Sequence, residues 1–249
     1  GSPRSPDSTG YGPMSPNTAI ALAPVIPFLG AVLIGLARRS PNIREGITFI
    51  AAASLFLLVL SITPSVFAGA RPSITIFDLL PGLAIAFEIE PLGMLFALIA
   101  SFLWIPNSIY SVGYMRSHNE SNQTRYYICF ALSLASAIGL AFSANLITMF
   151  LFYEALTLST YPLVTHAGTA KAKRAGRLYL GLLLGTSIGF QLLAIIGTYV
   201  IAGTTDFRPG GILAGQTGPG VIGVLFALYM FGIGKAAIMP FHRWLPAAM

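Results

Sequence analysis

Charge is scarce in this chain. Of 249 residues, 14 are Lys or Arg and 8 are Asp or Glu, 9% in all, against about 25% in an ordinary soluble domain. That shortage, beside 55% hydrophobic residues, excludes a water-soluble globular protein and points to an all-α integral membrane protein. The formal charge of +6 does not indicate a nucleic-acid partner, because the basic residues sit in short segments between apolar runs and read as topology signals. Cysteine is nearly absent. Cys129 stands alone, which rules out an intrachain disulfide and any CxxC unit for zinc or an iron–sulfur cluster. Neither GxGxxG nor GxxxxGK[ST] occurs, and His118, His166 and His242 lack HExxH spacing. The expectation is therefore no metal site, no cofactor and no redox centre on this chain, even if a larger assembly containing it is an oxidoreductase.

What is present is a series of apolar runs. With about 20 residues per span as the yardstick, helices are predicted near 19–37, 47–68, 91–115, 126–143, 145–166, 178–202 and 221–239. Residues 1–18 are rich in Pro, Gly and Ser and are predicted to be a disordered tail. The GSPRSP opening reads as an added or misassigned start, with Met14 as the natural first residue. Residues 19–249 form one membrane domain. The loops after the first, third and fifth helices hold Arg38, Arg39, Arg44, Arg116, Arg125, Lys171, Lys173, Arg174 and Arg177, whereas the other side holds Arg4, Arg71 and Arg208. Nine against three puts the first set in the cytoplasm and the N-terminus outside.

Residues 69–90, with partial alternation in SITIF and AIAFEIE, predict a short outer β-hairpin, and 203–220 an outer loop. Gly181, Gly185 and Gly189 share one helix face at a spacing that suits close helix packing in lipid. Pro106 and Pro162 should kink their helices. Pro240 and Pro246 bracket PFHRWLP, so the seventh helix is expected to be interrupted just beyond Lys235.

Two charges break the apolar runs. Between Arg125 and Lys171 the only charged residue is Glu154, and between Arg208 and Arg243 the only one is Lys235. A charge inside the hydrocarbon layer costs at least about 2.5–3.5 kcal/mol and by default marks a functional site. Glu154 falls about 13 Å into its helix and Lys235 about 21 Å into its own, a depth difference of roughly 8 Å. Direct pairing and pairing through water are both open. Burial favours a neutral lysine and a neighbouring carboxylate a charged one, so moving one group would switch the other, as a proton path requires. His242, seven residues after Lys235, could relay protons onward. The structural alternatives are a carboxylate pinning a neighbouring helix, a lysine snorkelling to the interface and a histidine satisfying freed backbone at a helix break.

Four stretches, IYSVGYM (109–115), LFYEALTLSTYPLV (151–164), GIGKAAIMP (232–240) and FHRWLPAAM (241–249), resemble the antiporter-like, proton-conducting membrane subunits shared by respiratory complex I, Mrp-type cation:proton antiporters and membrane-bound hydrogenases. The resemblance implies that Glu154 matches the family's fifth-helix glutamate and Lys235 its seventh-helix lysine. It implies the first part of a fourteen-helix fold with two inverted five-helix repeats, and therefore a fragment or truncated relative. Implied partners are other membrane subunits, the lipid bilayer and protons, with sodium left open. The implied location is the bacterial inner membrane, ahead of an organellar inner membrane. The fifth-helix wording looks closer to the Mrp or hydrogenase-linked type. A non-conducting structural or assembly module is the alternative.

Overall fold

The computed structural model describes residues 16–248. The predicted tail lies outside the described residues up to position 15. Its last three residues do not extend it, because the first helix already begins at Pro16.

The element order is α1 (Pro16–Leu36), α2 (Pro41–Phe67), β1 (Ser73–Leu80), β2 (Leu83–Glu88), α3 (Pro91–Ser117), α4 (Gln123–Ala141), α5 (Leu146–Val164), α6 (Ala170–Thr186), a π-helical segment (Ser187–Leu192), α7 (Leu193–Ala202), α8 (Pro219–Gly232), 3-10 turns at Gly234–Ala236 and Phe241–Arg243, and α9 (Trp244–Ala248). Six helices among the described residues are long and apolar enough to cross a membrane, the sixth being the continuous run Ala170–Ala202. The chain is a multi-pass membrane protein. The seventh predicted span is only α8, 14 residues long or about 21 Å, short of a ~30 Å hydrocarbon core.

Two helices start more than a full turn before the apolar runs do. Pro41 occupies the first turn of α2, where a missing N–H costs nothing. Thr169 caps α6 by accepting a hydrogen bond from Ala172 N at 3.1 Å, so the basic stretch Lys171–Arg177 is helix rather than loop. Pro106 and Pro162 both lie inside continuous helices.

The main core joins α1, α2, α3 and α4 with the end of the hairpin: Ile20, Ile34, Leu55, Val59, Met94, Trp104, Ile138 and Phe142 are its large members. Ala23, Ala52, Ala97 and Ala131 are fully buried among them. Small side chains let helix backbones approach where lipid supplies no hydrophobic drive. The same logic explains Gly93, where an added Cβ would strike the Ala141 carbonyl, and Gly139, where it would strike the Phe152 ring. The predicted stripe behaves otherwise. Gly181, Gly185 and Gly189 are exposed, with nothing within 4 Å of an added Cβ, so their face packs against no element among the described residues. Spacing identifies a face without saying what meets it.

The hairpin forms as expected, antiparallel from Ser73↔Glu88 to Leu80↔Leu83. Pro81 and Gly82 make its turn, and Gly82 has φ +76, a conformation that favours glycine. The hairpin, the α4–α5 corner and the segment after α7 meet at one end of the bundle: Asn145 Nδ2 donates to Ala84 O at 2.8 Å, and Leu146 N to Thr205 O at 3.0 Å.

The opposite end holds a network built on basic residues that the sequence marks only as topology signals. Arg44 and Glu45, in the first turns of α2, are 4% and 5% exposed. Arg44 donates to Thr124 Oγ1 at 3.1 Å and Gln123 Oε1 at 2.8 Å, and its guanidinium lies 5.1 Å from the Tyr127 ring centroid. Arg116 Nε donates to Glu45 Oε1 at 3.0 Å, and its Nη2 pairs with the other carboxylate oxygen. These residues belong to helix ends that bury charge by pairing it, which a count of charges along the chain does not reveal. Arg125 ties the same end to the end of α5 through His166 O at 3.1 Å. The His166 ring nitrogens are buried and make no hydrogen bond among the described residues. Burial and then the Arg125 charge push that imidazole below its ordinary range, with Glu120 opposing.

Candidate functional site

Asn145 starts α5 by accepting from Thr148 N at 2.9 Å, and eight residues further in α5 presents Tyr153 and then Glu154. Both Glu154 carboxylate oxygens are shielded from solvent, and among the described residues neither makes a hydrogen bond. Buried polar atoms are nearly always satisfied, and each exception calls for an explanation. Ser187, the first residue of the π segment, and Lys235 are the groups that act on the carboxylate, although the Ser187 hydroxyl itself donates to Leu183 O at 2.8 Å.

Lys235 does not lie in the seventh helix with the break beyond it. α8 ends at Gly232, and Lys235 is in the break, inside the turn Gly234–Ala236. The cause is close packing on the sixth span. An added Cβ on Gly232 would come within 2.6 Å of Gln191 N, and one on Gly234 would strike the Thr186 hydroxyl. Two glycines, which helices disfavour by about 1 kcal/mol each, let the chain leave the helix while pressed against α6 and the π segment. Ala237 then takes a left-handed conformation, φ 51, and Trp244 Nε1 donates to Gly234 O at 3.0 Å. Gly232→Val is expected to overpack this contact and cost about 1–3 kcal/mol, read as a lower unfolding midpoint in detergent.

The depth mismatch of about 8 Å expected from helix rise is not found, because the broken helix and the long side chain bring Lys235 level with α5. Its backbone N–H donates to Tyr153 Oη at 3.0 Å, and Nζ donates to Tyr153 O at 2.6 Å. Nζ also stands 3.9 Å from the Tyr153 ring centroid. Thr157 Oγ1 donates to the same Tyr153 carbonyl at 3.0 Å. No Glu154–Lys235 ion pair within 4.0 Å is among those formed by the described residues. So the structure brings Glu154 and Lys235 together through Tyr153, without direct pairing. It does not bring in His242, which is exposed on the turn Phe241–Arg243.

The π segment had no sequence signal. Within it Gln191 is 2% exposed with Oε1 unpartnered. π-bulges concentrate at functional sites, and this one abuts the break that carries Lys235. Among the described residues no group of three or more His, Cys, Asp or Glu side chains is gathered as a metal site would need.

A multi-pass bundle holding a buried acid and a broken-helix lysine defines the class, a polytopic α-helical membrane protein. The comparisons narrow it. The family described as NADH:quinone oxidoreductase/Mrp antiporter, TM, matches residues 143–249, the part that contains both groups. The NAD(P)H-quinone oxidoreductase subunit 5 of Chlorokybus atmophyticus chloroplasts is 28% identical over 92% of this chain and 38% of its own length. The putative antiporter subunit mnhA2 of Staphylococcus epidermidis is 30% identical over 65% of this chain and 20% of its own. Among solved structures, an archaeal membrane-bound sulfane sulfur reductase superposes with TM-score 0.79 at 23% identity, covering 92% of this chain and 47% of that one. The Mrp complex from Dietzia gives 0.76 at 23%, covering 94% and 44%. The chain is similar to antiporter-like membrane subunits over most of its length, and it spans less than half the length of these relatives.

Proposed function

We propose that this chain carries protons through the membrane by way of Glu154 and Lys235, as one subunit of a larger complex of the Mrp antiporter or quinone oxidoreductase type. The observation that carries the reading is the buried Glu154 carboxylate, which makes no hydrogen bond among the described residues, next in sequence to the residue that holds a half-buried ammonium. A carboxylate fixed for structural reasons would be hydrogen-bonded to what it fixes. The relatives' names, an oxidoreductase subunit and an antiporter subunit, support other membrane subunits as partners. The clustering of basic residues at one end supports a cytoplasmic face there, with the N-terminus outside a bacterial inner membrane. His242 is kept as an onward relay from the turn after Lys235, reached from the exposed side.

The test is Glu154→Gln in the intact complex, reconstituted in vesicles with a pH-sensitive dye. Proton movement should fall by about 10²-fold or more, the usual scale of a lost proton-transfer group, with assembly unchanged. An undiminished rate would leave the chain as a structural module.

A further inference from the structure

Tyr153 makes three separate contacts with one residue. Its hydroxyl accepts the Lys235 backbone N–H at 3.0 Å, its carbonyl accepts Nζ at 2.6 Å, and its ring face lies 3.9 Å from Nζ. It is 7% exposed and sits within the α-helix α5, whereas Lys235 sits on a single 3-10 turn. We propose that Tyr153 is a positioning residue, which seats the Lys235 ammonium in a half-cage of ring face and carbonyl, one residue away from Glu154. This rests on the proton-transfer reading above.

The chemistry of the half-cage sets what it does. An ammonium has three N–H donors and no acceptor. One is spent on the carbonyl, and the ring quadrupole attracts the charge without consuming a donor. The carbonyl keeps its Thr157 partner when the ammonium leaves, so departure orphans nothing on α5. The ammonium can therefore exchange Tyr153 for the unpartnered Glu154 carboxylate by side-chain rotation, while the phenol hydroxyl holds the Lys235 backbone in place. Tyr153 separates two jobs that one salt bridge would merge: it keeps the lysine close, and it keeps it off the acid until the acid has a charge to offer.

The groups around the ammonium are few. α5 presents Glu154 and the Tyr153 phenol. α6 presents the Tyr179 phenol, whose hydroxyl is 2.6 Å from Thr160 Oγ1. The π segment offers uncharged Ser187 and Gln191, and His242 and Arg243 on the following turn are exposed. Glu154 is the one carboxylate among them, so a change at Tyr153 is read against a simple background.

The experiment compares Tyr153→Phe and Tyr153→Leu with Lys235→Met in the intact, reconstituted complex, measuring proton transport from pH 5 to 10 and the yield of assembled complex. Tyr153→Phe keeps ring and carbonyl and frees only the backbone N–H. Its rate should fall about fivefold, the scale of one hydrogen bond, with the pH profile unmoved. Tyr153→Leu removes the ring as well, and the pH of half-maximal transport should move down by about half a unit to one unit, because the ring face favours the charged amine. A merely structural tyrosine would change yield and leave that midpoint alone. If Lys235→Met abolishes transport while both tyrosine variants keep the wild-type rate and profile, the inference is overturned and the proton-transfer reading stands. If all three transport normally, both fall. Should the leucine variant not assemble, a wild-type rate in Tyr153→Phe is enough to reject the inference.

Discussion

Replacing Lys235 with Met is expected to stop proton transport by the assembled complex and to leave the fold standing. Methionine reproduces most of the lysine stem and removes the proton-carrying group that the turn Gly234–Ala236 sets against Tyr153. The structural loss is small. Tyr153 O retains the Thr157 hydroxyl at 3.0 Å, the Lys235 backbone N–H still reaches Tyr153 Oη, and Gly232 and Gly234 still pack on Gln191 and Thr186. A neutral side chain also ends the cost of holding an ammonium in a half-buried place. The unfolding midpoint should stay the same or rise slightly, while the transport rate drops by about 10²-fold or more. Lys235→Arg sharpens the result. It keeps a positive charge that does not titrate below about pH 12 and needs more room, so it should fail as well. Vesicles that acidify at the wild-type rate with Met at 235 would remove the basis for a proton path here.

Much of this arrangement was legible in the sequence, for identifiable reasons. Six spans and the hairpin follow from apolar runs and period-two alternation, signals that depend on composition and that tertiary contacts do not rearrange. Glu154 and Lys235 were visible because charge in an apolar run is rare. What stayed hidden depends on pairing in space. The first turns of α2 and α6 look like loop because Arg44, Glu45 and Lys171–Arg177 are charged, yet Arg44 and Glu45 are buried against α3 and α4, and a capping threonine starts α6. The π segment Ser187–Leu192 has no compositional mark. The prolines at 240 and 246 point to a later break than the one the glycines at 232 and 234 make. With that shift Lys235 moves from a helix side chain to a turn side chain, and its neighbour becomes Tyr153, which nothing in the residue spacing singles out. His242, by contrast, was legible only as a residue type, and its exposure decides its place outside the cluster.

Replacing Glu45 with Gln is expected to be the most damaging single change to stability. The substitution keeps the shape and deletes the charge. Arg44, 4% exposed, would then keep Gln123 and Thr124 as hydrogen-bond partners but lose the nearby carboxylate, 3.5 Å away. Removing one partner of a buried ion pair typically costs about 3–5 kcal/mol, because the other charge stays buried. Arg116 moderates this: its side chain is 49% exposed and can return to water, so its own pair with Glu45 contributes little. The expected cost is therefore about 3 kcal/mol, at the low end of that range, read as a lower midpoint in detergent-titration unfolding. The companion variant carries the argument. Arg44→Met with Glu45→Leu removes both charges together, fills the same space with apolar atoms, and should recover most of the loss, since replacing a whole buried pair is often neutral. Recovery would show that the cost lies in a stranded guanidinium. A double variant as unstable as Glu45→Gln would instead assign the stability to the hydrogen bonds that Arg44 makes with the start of α4.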